Sequence, residues 1–311
     1  LFFRWSALLI FDKGFENSKR NWVYFLACLF TLRFLMLNFD EGQANIIMMT
    51  SLTFGLYMLS KGKTFLAALL FSFSYFLKYM SVIFAPYFLY KKKIKFALLV
   101  ILSTLLFLII PALFLGWNYN LSLEKSFLPY VFKTSTDINS MQDYQNMSLM
   151  AMLLRHFSKF SYFNINITGL NWQQIRIAFF VFASFLYALV LLKPAKMLKN
   201  NRFLECINYG MLFLNMALLN PHAWKHAFIF LLFPYMVCLY YLFKTNHRDM
   251  FVWFLTGLSF MLNIWPDKLF ISSMYHSTGI YSFITFGTLT LYCALCKIKF
   301  SPIDKGGFIS G

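Results

Sequence analysis

Apolar runs long enough, or nearly long enough, to cross a bilayer recur from one end of this 311-residue chain to the other. That recurrence excludes a water-soluble globular fold before any motif is considered. The runs cover residues 22–38, 44–59, 64–90, 96–115, 175–192, 203–219, 227–243, 250–264 and 278–296. Hydrophobic residues make up 60% of the chain and charged ones 13%, with a mean hydropathy of +0.62. Too little polar surface is left to clothe a core against water. The sequence therefore predicts an all-α, polytopic transmembrane protein. Residues 1–11 form a further apolar stretch without a charged leader or a small-residue cleavage site, and read as the tail of a segment, so N-terminal helices are expected to precede them.

The run at 64–90 is too long for one ordinary span and holds Lys78 near its middle. It is read as two short helices that turn around that lysine, because a charge at bilayer depth is costly. The distribution of Lys and Arg agrees. With the turn in place, one set of alternate connections carries Lys13, Lys19 and Arg20, Lys61 and Lys63, the basic groups of 91–95 and 193–202, Lys244 and Arg248, and those of 297–305. The opposite set is sparser, with Lys125, Lys133, Arg155, Lys159, Arg176, Lys225 and Lys268. The richer side reads as cytoplasmic, and the net charge of +17 becomes mainly a topology signal with membrane lipids as partners. Nucleic acid is not needed to explain it.

Residues 116–174 fall on the extracytoplasmic side, mixing polar and aromatic residues with a second apolar stretch at 149–157. They are expected to form a large loop region of short amphipathic helices lying on the bilayer, inside a single membrane domain spanning 1–311. All five cysteines sit in apolar helices, where Cys behaves as a small hydrophobe. Cys293 and Cys296 form a C-x-x-C without redox context, and packing is the better reading.

Four polar clusters gather on the extracytoplasmic side. The first is Asp40-Glu41-Gly42-Gln43-Ala44-Asn45; Lys78 is the second, Gln145-Asn146-Met147-Ser148 the third and Asn220-Pro221-His222-Ala223-Trp224-Lys225-His226 the fourth. Each has a plain structural explanation beside a functional one. Asp40 and Glu41 suit the positive end of the next helix, Lys78 can snorkel to the interface, and Asn146 with Ser148 suits a helix N-cap. His222 and His226 would share a helical face, as paired metal ligands do, but no glutamate follows His222 and no third ligand is evident, so no metal is assigned. A proton-exchanging or phosphate-binding histidine fits better.

Taken in order, these residues resemble the polyprenol-phosphate-sugar-dependent glycosyltransferases of the GT-C fold, most closely the family 87 mannosyltransferase-like proteins. The resemblance rests on Gly42-Gln43-Ala44-Asn45 opening a helix, on Leu77-Lys78 followed by Ala85-Pro86-Tyr87, on Asn146-Met147-Ser148-Leu149 leading to Leu154-Arg155, and on the stretch from Asn220 to His226. Met147 departs from the Gln usual in the third motif, and only His226 matches the family's histidine pair. The resemblance implies a polyprenyl-phosphate sugar donor with mannose favoured, a lipid or glycan acceptor, no cofactor, and transfer at the extracytoplasmic face of a membrane, the bacterial inner membrane suiting the composition. It also implies a base in a loop that would precede Leu1. Glycosyl transfer needs a carboxylate to take the acceptor's proton and cationic groups for the departing phosphate. Asp40 is accordingly the substitute base, His226 the proton relay or phosphate ligand, and Lys78 the phosphate cation. Gln43, Asn45, Asn146, Ser148 and His222 would hold substrate hydroxyls or a headgroup.

Two other readings stay open on sequence. A polysaccharide polymerase or ligase would depend on Arg155 in the large loop. A transporter or flippase of lipid-linked substrates would use mid-helix charge such as Arg33, although no internal repeat supports it.

Overall fold

Where a chain offers lipid nothing but apolar surface, each backbone N–H and C=O must be satisfied within its own segment, and helices do this. The computed structural model describes residues 1–134, 137–161, 163, 165–194, 201–265 and 277–300. Lys196, Lys199, Lys268, His276 and Lys305 lie outside the described residues.

The chain starts with α1 (Phe2–Ile10), α2 (Asn17–Asp40), α3 (Asn45–Ser60) and α4 (Thr64–Leu77). A 3₁₀ segment, Tyr79–Phe84, then runs into α5 (Ala85–Tyr90). Next come α6 (Ile94–Ile109) and the short α7 (Ala112–Leu115), parted at Pro111, which has no N–H to continue the ladder. The long connection holds α8 (Trp117–Thr134), α9 (Ile138–Met141) and α10 (Leu149–Phe157). After it follow α11 (Trp172–Leu191), α12 (Asn201–Leu218), a second 3₁₀ segment at Lys225–Leu231, α13 (Leu232–Lys244), α14 (Met250–Ile264), α15 (Ser277–Ile280) and α16 (Phe283–Phe300). Among the described residues, five stretches are long and apolar enough to cross a membrane: Asn17–Asp40, Ile94–Leu115, Trp172–Leu191, Lys225–Lys244 and Phe283–Phe300. Shorter apolar helices pack among them, and the fold is an all-α polytopic membrane bundle.

Burial sorts centre from edge. Inside the protein lies 89% of the most apolar window of Lys225–Lys244, against 6% for Ile94–Leu115. The stretch ending in α13 is therefore the axis of the bundle, and α6 lies at its edge with one side packed and the other open. Around the axis, α2 packs on α13, α3 on α4, α4 on α6, and α14 on α16. Gly55 makes the α3–α4 approach possible: a Cβ there would come within 2.9 Å of the Phe71 ring, the close packing that small residues allow in membranes. Hydrogen bonds join α13 to α14, where Tyr235 Oη and Ser259 Oγ lie 2.7 Å apart and Asn263 Nδ2 donates to Tyr235 Oη at 3.0 Å.

The expected break at Lys78 is present: α4 ends at Leu77 and Lys78 is extended, with φ −157° and ψ 132°. Arg33 Nη1 donates to Trp265 O at 2.8 Å, just past the C-terminus of α14, where a cation complements the helix dipole. The expectation of surface helices in the large loop fails at α10, which is buried from Leu149 through Arg155. Its apolar residues pack into the protein, and even its arginine is enclosed.

Candidate active site

The site begins where α2 ends. Glu41 closes the helix, Gly42 follows with φ +60°, a left-handed conformation that glycine adopts without strain, and Gln43 leads into α3. This tight turn brings Glu41 and Gln43 to the same end of the bundle as the Lys78 break. Lys78 Nζ donates to Gln43 Oε1 at 2.8 Å.

His226 completes the group from the far side of the sequence. It is the second residue of the 3₁₀ segment Lys225–Leu231, and its Nδ1 lies 2.5 Å from Glu41 Oε2. Its main-chain oxygen accepts from Asn38 Nδ2 at 2.8 Å and from Asn45 Nδ2 at 3.4 Å, while Asn45 Nδ2 also reaches Asn38 Oδ1 at 3.0 Å. His226 is thus anchored by its backbone and left with its ring against a carboxylate. The glutamate side chain is 40% exposed and the histidine side chain 10%, so the pair looks outward from a buried base.

A second polar knot holds the strap that precedes His226. Asn146 Nδ2 donates to Met141 O at 2.8 Å and Pro221 O at 2.7 Å, and its Oδ1 accepts from Ser148 N and Ala223 N, each at 3.1 Å. Met147 N donates to Ala223 O at 2.8 Å. Ser148 caps α10, accepting from Ala151 N at 3.0 Å, and its hydroxyl donates to Pro221 O at 3.2 Å. Arg155, on α10, is wholly buried as well.

Several sequence expectations change on this geometry. The carboxylate that meets His226 is Glu41, whereas Asp40 is exposed one residue earlier. Asn45, Asn146 and Ser148 are fully buried and bonded to protein, Ser148 as the N-cap of α10. His222 and His226 share no helical face, because Asn220 Nδ2 closes a turn onto His222 O at 3.0 Å before the 3₁₀ segment starts. Lys78, Gln43 and His226 are brought together as expected. Sequence reasoning missed Asn38, which sits inside an apolar run, and the choice of Glu41 over its neighbour. A polar Asn at the outer turn of α2, one helical turn from the acids, was the available signal for the first.

A carboxylate on a histidine fixes the tautomer and orientation of the ring, and a lysine held by a neutral amide is available to an anion. The group can therefore move a proton and neutralise a phosphate. No curated protein and no solved structure matches the chain. The family model for glycosyltransferase family 87 matches residues 1–221, a stretch that includes Glu41, Gln43, Lys78 and Asn146. The chain belongs to glycosyltransferase family 87 and is a membrane glycosyltransferase.

Proposed function

We propose that the protein transfers a hexose, mannose favoured, from a polyprenyl-phosphate sugar to a lipid or glycan acceptor at the extracytoplasmic face of the membrane. The observation that carries this reading is the convergence of Lys78, Glu41 and His226, from three separate helix ends, at one end of the bundle. With Nδ1 directed at Glu41, His226 has Nε2 as the nitrogen to meet an acceptor hydroxyl. The hydroxyl oxygen attacks the anomeric carbon, its proton passes to His226, and the bond from that carbon to the phosphate oxygen breaks with the electron pair going to phosphate. Lys78 offsets the charge that develops there. Gln43 has its amide N–H groups to offer a sugar hydroxyl, and His222 stands four residues before His226 in the strap. An inverted anomeric configuration accords with direct displacement.

The polymerase or ligase reading needs Arg155 to touch substrate, and its enclosure by protein argues against that. The test is incorporation of radiolabelled sugar from polyprenyl-phosphate mannose in membranes containing the protein, beside Lys78→Ala and His226→Ala. Transfer that both substitutions abolish supports the donor and the site. Undiminished turnover by Lys78→Ala removes the phosphate role, and a folded protein inert toward every polyprenyl-phosphate sugar removes the donor.

A further inference from the structure

Arg155 lies in the middle of a buried polar knot, and it is 0% exposed. Its guanidinium donates to main-chain oxygens: Nη1 reaches Asp143 O and Asn146 O, each at 2.8 Å. Nε and Nη2 reach Ser282 Oγ at 3.3 and 2.9 Å. Removing a cation so completely from water is costly, and an apolar side chain of similar volume would serve packing at least as well. What the guanidinium adds is a rigid fork of donors in fixed directions. Those directions tie three pieces of chain together: α10, the loop ending at Asn146, and the residue that opens α16.

The tie continues to the site. Asn146, whose main-chain oxygen Arg155 holds, uses both ends of its carboxamide to hold Pro221 and Ala223. Asn146 also pairs with Trp224 as an isolated bridge. Two residues further on is His226, already pinned from the opposite side through its own carbonyl by Asn38. The strap is therefore fixed at both ends, by α2 on one side and by the Arg155–Asn146 relay on the other. We infer that Arg155 is a positioning residue for glycosyl transfer, setting through Asn146 and the 221–224 strap where the His226 ring stands relative to Glu41. The guanidinium does not touch substrate. This inference rests on the catalytic role proposed for the Glu41–His226 pair.

A double-mutant cycle with Arg155→Lys and His226→Gln tests it, with thermal unfolding of each variant recorded. Arg155→Lys keeps the charge and loses the fork. Displacing a reacting group by about 1 Å costs about 10²-fold in rate, so kcat should fall by that order while the donor KM stays near the parent value. In the His226→Gln background the same substitution should cost little more, because residues acting as one unit are strongly non-additive. The pH profile of kcat/KM provides a second measurement that works even where the double variant is inactive. Arg155→Lys and Glu41→Gln should both displace the profile. Equal losses in both backgrounds, or a uniformly lowered profile of unchanged shape, overturn the inference and leave Arg155 as support for the fold. Full transfer by His226→Gln overturns the catalytic reading of the pair itself, and the inference with it.

Discussion

His226 Nδ1 and Glu41 Oε2 stand 2.5 Å apart across 185 residues of sequence. The contact exists because α2 ends one residue before Glu41 and the 3₁₀ segment starts one residue before His226. Glu41→Gln keeps the shape and loses the charge. It should lower transfer by about 10²–10⁴-fold, the usual worth of general acid–base assistance, whereas Asp40→Asn should leave transfer near the parent level. The measurement is initial rate with radiolabelled donor; the reverse ranking would make Asp40 the working carboxylate.

Lys78 must be cationic to meet a phosphate. An ammonium loses its charge as pH rises, so transfer should decline on the alkaline side. Lys78→Arg removes the proton loss, because a guanidinium stays charged. A pH–rate comparison of the two should show a flatter alkaline limb in the arginine variant at reduced overall rate. Superimposable limbs would assign the decline to another group.

Asn146 and Ser148 are two residues apart and equally buried, yet they should differ in stability. Asn146→Ala leaves several enclosed main-chain groups without partners and should cost about 3 kcal/mol. Ser148→Ala loses an N-cap and should cost about 1 kcal/mol. Thermal unfolding in detergent ranks them, and equal shifts would show that the strap can find other partners.

At the other end of the bundle, Asp12 accepts from Tyr240 Oη at 2.9 Å and pairs with Lys244. Burial works to raise its carboxyl pKa, but the bonds from Lys244 and Tyr240 outweigh burial and set it below the ordinary 3.8. The stability this provides is complete above pH 3.8 and is lost as pH falls toward the lower folded value. Asp12→Asn should therefore unfold at a lower temperature at neutral pH and converge with the parent in acid. A constant gap between the two curves would assign the loss to shape alone.

The helical layout was legible because lipid leaves a chain few alternatives. Lys78 marked its own helix break, since a lysine amid 64–90 has to be explained by a turn or by a partner, and the structure supplies both. The site was legible as a set of clusters, not as a set of contacts. Asp40 and Glu41 are chemically alike, and only the phase of the last turn of α2 decides which one faces His226. Asn45, Asn146 and Ser148 announce hydrogen bonds without announcing direction, and each turned toward backbone. The pattern of 149–157 signals an amphipathic helix, but no local feature says that protein, not bilayer, covers its apolar face. The 3₁₀ winding at Tyr79–Phe84 and Lys225–Leu231 left no mark in the sequence at all.

The helices around Lys78 are short. α3 and α4 have 16 and 14 residues, which at 1.5 Å per residue is about 24 and 21 Å, against a hydrocarbon layer of about 30 Å. Joined and anchored through Lys61 and Lys63 at one interface, this hairpin ends roughly 6–9 Å before the other boundary. The Lys78 N–H is satisfied by Ser74 O at 3.1 Å, so at such a depth it is the ammonium, bonded to Gln43 Oε1, that calls for water or an anion. An ammonium at that depth calls for a small dent of aqueous medium sunk into one leaflet, with hydrocarbon and protein as its walls. Those walls polarise weakly, and a single ammonium there projects its field further than it would from a wetted surface. An anion drifting sideways within that leaflet would feel Lys78 before it had left the plane of the membrane.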